Sequence, residues 1–170
     1  RSQQGITLYE YGNLDEVEIK GVEFEMNAEI SENLQASFGF SIPDGTKNDE
    51  QLVSIDPEEA ILGLVWNSNS GKLKLSGYAN FTAGSHDNLP PSCGRGGCNP
   101  LLALSGLTTY DLYGSYQITE SLKLRFAIRN LSDESYWNWA SVQGKSATDA
   151  GLDLFMEPGR NMSMGLKYDF

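Results

Sequence analysis

Side-chain polarity along this chain alternates with a period of two, in one stretch after another. In residues 34–42, Leu34, Ala36, Phe38, Phe40 and Ile42 oppose Gln35, Ser37, Gly39 and Ser41. Residues 73–83, 110–118, 122–129 and 162–170 repeat the pattern, as in Leu122, Leu124, Phe126 and Ile128 against Lys123, Arg125, Ala127 and Arg129. Successive side chains of a strand point to opposite faces, so each stretch makes a sheet with one apolar and one polar side. Residues 17–30 alternate too, with a parity change at Lys20-Gly21 that predicts a bulge. Residues 60–67 carry apolar Ile61 and Val65 on the second face, and 6–11 predicts a further strand. The reading is all-β, antiparallel and up-and-down, with about eight strands and no sustained helical period.

The connections alternate in length. Residues 31–33, 67–71 and 119–121 are tight and polar, whereas 43–57, 84–107 and 132–159 are long. Short turns therefore gather at one end of the sheet and long loops at the other, and long loops usually carry function.

Composition removes several classes. With 12 Lys and Arg against 23 Asp and Glu, the net charge is −11, the wrong sign for a nucleic-acid partner. The longest apolar stretch, 60–66, is interrupted by Gly63 and is far below the roughly 20 residues of a spanning helix. A hydrophobic content of 39%, with 11% aromatic, argues against disorder. The sequence opens at Arg1 with no signal peptide, which reads as a mature chain or a piece of one.

Alternation alone fits two architectures. A soluble barrel or sandwich turns its apolar face inward, and a transmembrane barrel turns it outward around a polar lumen. Strands of about 9–11 residues suit a tilted bilayer crossing. The polar face carries Glu18, Lys20, Glu23, Glu25, Glu29, Lys72, Lys74, Lys123, Arg125 and Arg129. Aromatic Tyr9, Tyr11, Trp66, Phe81, Tyr110, Tyr168 and Phe170 stand near strand ends, as an interfacial girdle requires. These features, with the one-sided loops, favour the transmembrane barrel.

The chain ends on Leu166, Tyr168 and Phe170 at alternating positions. That ending resembles the signal read by the bacterial barrel assembly machinery. Ile19-Lys20-Gly21-Val22-Glu23 resembles an "I-x-G-x-E" strand start, and Tyr110-Asp111-Leu112 with Tyr116 a penultimate-hairpin strand. Leu124 through Asn130-Leu131-Ser132-Asp133 and Tyr136 resembles "L-x-N-L-x-D-x-x-Y". Glu157-Pro158-Gly159-Arg160-Asn161 down to Tyr168-Asp169-Phe170 resembles a closing "PGR … Y-x-F" strand. In this order and spacing the four stretches resemble the C-terminal part of a TonB-dependent outer-membrane receptor, most like the haem and haem-protein branch.

The resemblance implies that residues 1–170 are a barrel portion without a plug domain, part of a larger barrel of about 22 strands. It implies the bacterial outer membrane and transport of haem or another iron complex, with no intrinsic cofactor. Its implied partners are outer-membrane lipid and lipopolysaccharide, the rest of the barrel and plug, the TonB complex through that plug, and the assembly machinery. Two alternatives stand beside it: a self-standing eight-stranded outer-membrane barrel and a soluble lipocalin-like binder.

Three features of the long loops bear on specificity. Cys93 and Cys98 flank Gly94-Arg95-Gly96-Gly97, and in an exported protein they read as a local disulfide. Two thiols and one His are too few for a closed zinc site. His86, the only histidine, is the one side chain able to offer an axial imidazole to haem iron, though a lone loop His is ordinarily a surface residue. Tyr136, Trp137 and Trp139 read either as interfacial anchors of the loop base or as a flat surface for a planar ligand. The acidic loop 44–50 lacks EF-hand spacing, and no phosphate loop, metalloprotease helix or nucleophile elbow is present, so no enzyme is expected.

Overall fold

The computed structural model describes residues 2–3, 6–7, 16–85, 91–94 and 97–170. In chain order the strands are β1 (Ser2–Gln3), β2 (Ile6–Thr7), β3 (Val17–Ser31), β4 (Leu34–Lys47), β5 (Glu50–Gln51) and β6 (Glu59–Asn67). They continue as β7 (Leu73–Thr82), β8 (Ser92–Gly94), β9 (Gly97–Asn99), β10 (Leu107–Gln117), β11 (Leu122–Arg129) and β12 (Asn161–Tyr168). Between β11 and β12 lie a one-turn helix α1 (Trp139–Val142) and a 3-10 turn, Leu152–Phe155.

The main sheet runs β12-β11-β10-β7-β6-β4-β3, with β5 pairing beside β4 as its eighth member. Every pairing is antiparallel. Among the described residues the sheet is open: β3 and β12 are its opposite edges, so the described strands do not close on themselves as the self-standing eight-stranded alternative requires. Of the strand expected at 6–11, the described part is β2, which pairs with β1 in a separate two-stranded sheet, and residues 8–15 lie outside the described residues.

Register carries the expected faces across the sheet. Leu34, Trp66 and Leu75 form one apolar row, and Phe40, Ala60, Phe81 and Thr108 another. Among the described residues most of that face is uncovered: Leu64 is 47%, Leu166 67% and Met164 78% exposed. Among the described residues the buried apolar side chains are Ile55, Ala127, Trp139 and Val142, and only Ala127 belongs to the sheet. A soluble sandwich or barrel would keep Leu64 and Leu166 in a dry centre. Here the side chains are left for a surrounding apolar medium.

The bulge expected at Lys20-Gly21 is absent. Pairing runs unbroken from Val17↔Lys47 to Glu29↔Gln35, and the register shifts only between Glu29 and Ser31. The polarity inverts while the backbone does not. Val17 and Ile19 share a face with Glu23 and Glu25, opposite Gly45 and Lys47, where Ile55 and Leu52 of the following loop cover Gly45. On the other face, Lys20 lies 3.8 Å from both Asp44 and Glu18. The apolar band thus stops above Val22 and Ile42, and the hairpin continues into polar surroundings. Part of the connection expected at 43–57 is strand, because Asn48 and Asp49, at φ 49° and 64°, make a tight turn from β4 into β5.

Candidate functional site

The end of the sheet that carries the long loops holds the folded structure beyond the strands. It begins at Asn130, 4% exposed and at φ 52°, where β11 stops. Its backbone N–H donates to Asp111 Oδ1 of β10 at 2.9 Å. Its side chain accepts from the Glu134 N–H at 2.9 Å and donates to the Glu134 carbonyl at 2.8 Å. One amide thus ties the first residue of a five-residue turn to both backbone groups of the last. Asp133 Oδ1 next accepts the Arg160 backbone N–H at 2.7 Å, joining the exit of β11 to the entry of β12.

Between these anchors, Trp137 is half-buried and donates Nε1–H to the Leu152 carbonyl at 2.9 Å, with a bridge to Met156. Trp139, 6% exposed, and Val142, fully buried, form the centre of this lobe, and Asn138 caps α1 through the Ala140 N–H. The Lys145 ammonium sits 4.3 Å from the Phe155 ring centroid. The loop after β7 joins the same lobe: Leu101 bridges to Ser146, and the Leu102 N–H donates to the Lys145 carbonyl at 2.7 Å. Two of the long loops are therefore one folded unit.

The expected site residues separate. Trp139 is interior and Trp137 is held to the 3-10 turn through its indole N–H, so both rings pack within the lobe, while Tyr136 and Trp137 also line one cleft. Tyr136 is half-buried, and burial, then Glu157, then Asp111, raise its phenol above 10.0. His86 lies outside the described residues. Cys93 pairs with Cys98 across the β8–β9 hairpin, and Cys98 is disulfide-bonded. Leu166 and Tyr168 stand on the apolar face of β12, and the Tyr168 and Phe170 rings meet edge-on at 5.0 Å. Sequence patterns do not mark Asp111, Asn130, Asp133 and Arg160 as functional. The signal lay in the "N-L-x-D" and "PGR" stretches, whose hydrogen bonds across the fold appear only when β11 and β12 are adjacent.

The polar face forms a wall with its charges sorted. Glu23, Glu25 and Glu29 line β3 at one edge, whereas Lys74, Lys123, Arg125, Arg129 and Lys167 line β7, β11 and β12 toward the other. Lys123 and Lys167 face each other directly. Nearer the long loops, Tyr78 and Tyr113 meet edge to face at 5.8 Å, Arg129 lies 5.9 Å from the Tyr113 ring, and Asn80 reaches Asp111 at 3.4 Å. Among the described residues no cluster of three or more His, Cys, Asp or Glu side chains could hold a metal ion.

A family model described as TonB dependent receptor-like, beta-barrel matches residues 1–131. Hemoglobin-binding protein A of Haemophilus influenzae is 21% identical over 180 residues, covering 93% of this chain and 18% of that protein. Among solved structures, the copper transporter OprC superposes with a TM-score of 0.72 at 20% identity, over 91% of this chain and 23% of that one. FpvA of P. aeruginosa bound to a pyoverdine–iron complex gives 0.68 at 17% identity, over 91% and 20%. The chain therefore spans under a quarter of the length of these proteins, and at such identities the structural likeness carries the fold alone.

Proposed function

The chain belongs to the TonB-dependent receptor β-barrel family, and on that premise we propose that it supplies barrel wall and external loops to a receptor importing haem or another iron complex. Membership puts the apolar face against outer-membrane lipid and the polar face toward the lumen. The observation that carries the reading is the two-faced sheet itself, with exposed Leu62, Leu64 and Met164 behind a wall of Glu, Lys and Arg. The haem assignment draws on the likeness to a haemoglobin-binding protein and on the "N-L-x-D-x-x-Y" stretch.

In this reading the lobe built by the loops after β7 and β11 contacts the incoming complex outside the cell. A plug beyond this chain, energised through the TonB complex, then opens a path along the charged wall. His86 is the one imidazole this chain can bring to haem iron. The test is growth of a receptor-deficient strain on haem as sole iron source. Restoration by the intact gene, weakened by His86→Ala, supports the reading. Growth on a ferric siderophore but not on haem overturns the haem assignment and leaves iron uptake. Growth on neither overturns both.

A further inference from the structure

We infer that a hollow in the lumen wall, toward its short-turn end, binds the carboxylates of the imported complex and so selects anionic complexes over neutral ones. The inference rests on the reading above, that an iron complex travels along this wall. The hollow encloses about 490 Å³, within the roughly 300–1,000 Å³ typical of ligand-holding clefts. Its floor is two neighbouring cross-strand rows on the polar face, Ser76↔Tyr113↔Ala127↔Ser163 and Lys74↔Ser115↔Arg125↔Gly165. Ser, Ala and Gly fill five of these eight positions, so the wall recedes between the larger side chains.

Every charged side chain lining the hollow is a cation. Lys74 and Arg125 flank Ser115, two strand spacings or roughly 10 Å apart at the backbone. Arg129 leans back along β11 toward them. Its guanidinium carbon lies 5.9 Å from the centroid of the Tyr113 ring, which stands opposite Ala127 and is held edge to face by Tyr78. None of the three cations is in an ion pair among the described residues. The hydroxyls of Ser76, Ser115 and Ser163 likewise bond to no described residue. Unanswered cations and free hydroxyls together are a set of donors without an acceptor, and a carboxylate has the lone pairs to meet them. Haem carries two carboxylates, and ferric carboxylate complexes carry more. A neutral ferric hydroxamate brings no charge to offset the water stripped from these cations. The volume exceeds what one side-chain carboxylate fills, which favours a larger visitor over an acidic residue of the plug.

The test follows iron-labelled haem and its dimethyl ester, whose carboxylates are blocked, with the intact receptor expressed in a receptor-deficient strain. Binding to de-energised cells reports capture outside, and accumulation in energised cells, per folded receptor, reports passage. Lys74→Gln combined with Arg125→Gln should leave haem binding unchanged and lower its accumulation about tenfold or more, the loss of charge-assisted hydrogen bonds. Gly165→Leu fills the hollow from a position where a Cβ meets nothing within 4 Å, and should lower haem accumulation with all three cations in place. The ester should pass slowly through the unaltered receptor and no more slowly through the glutamine variant. If the unaltered receptor captures no haem, the haem assignment fails. Ferric citrate and a neutral ferric hydroxamate then replace haem and ester, with the same losses expected. Unchanged accumulation in the glutamine variant, or uptake of the hydroxamate in preference to any carboxylate-bearing complex, would overturn the inference. So would equal losses of haem and ester, which would mean that the cations hold the plug or the fold.

Discussion

Asn130 shows how much of the loop lobe depends on single side chains. Its amide satisfies both backbone groups of Glu134 while its own backbone holds a left-handed conformation. Asn130→Ala removes the side-chain bonds and, with them, the short polar side chain that makes the left-handed conformation tolerable, so the turn should lose about 2–3 kcal/mol. Hydrogen exchange at the Glu134 amide should report the loss while the strands stay protected. Asn130→Gly relieves the backbone and should recover about 1 kcal/mol of it. Tyr136 supplies a pH dependence of known sign. Its folded phenol titrates above 10.0, so its contribution to the loop base is complete below the unfolded value and fades as pH climbs through the folded one. Protease cutting within 131–160 should therefore rise above about pH 10, and Tyr136→Phe should remove the part of that rise due to the phenolate. The residue types are readable from sequence; the partners are not, because Asp111 meets Asn130 only through the pairing of β10 with β11, and Asp133 meets Arg160 only once β12 returns beside β11.

At the scale of single elements, β3 and β4 correct a plausible sequence argument. A parity change at a glycine reads as a bulge, yet Gly21 is there because β4 passes close. A Cβ on Gly21 would lie 2.9 Å from the Ile42 carbonyl oxygen and 3.2 Å from Pro43 Cα, both backbone atoms that cannot turn aside. Gly21→Ala should push the strands apart at the hairpin base and cost about 1–3 kcal/mol by overpacking. Gly77→Ala, whose nearest neighbour is 3.9 Å away on the apolar face, should be tolerated. The fraction of receptor that keeps its compact mobility in unheated SDS gels measures both. Pro43 fits inside β4 for a related reason. It lies past the last β4–β6 pair, Ser41↔Glu59, where one neighbouring strand fewer requires ladder hydrogen bonds. Alternation located every long strand from β3 onward, because face polarity is written locally. The reach of β4 past Ile42 was not legible, since beyond the apolar band neither face must be greasy.

For the whole molecule, what matters is which face meets which medium. An arginine on the apolar face near mid-bilayer costs about 2–4 kcal/mol, and on the lumen face close to nothing. Leu62→Arg should therefore reduce assembled receptor in outer-membrane fractions severalfold, whereas Ser76→Lys, on the polar face, should assemble at the level of the unaltered protein. Both can be read by surface protease protection of folded barrels. The open edges at β3 and β12 belong to the same scale: unpaired backbone groups in hydrocarbon each cost several kcal/mol, so in the proposed reading these edges pair with strands from the rest of the barrel. Period-two polarity, the −11 charge and the one-sided loops determined by themselves that this is a two-faced antiparallel wall with its functional loops at one end. Those properties are local or additive, and a strand's two faces are set by neighbours along the chain. Tertiary structure alone decided that two loops fold into one lobe, that Trp137 and Trp139 pack within it, and that small residues between Lys74, Arg125 and Arg129 leave a hollow in the wall. These outcomes depend on register between strands, and register is fixed by pairing across distances that no local pattern records.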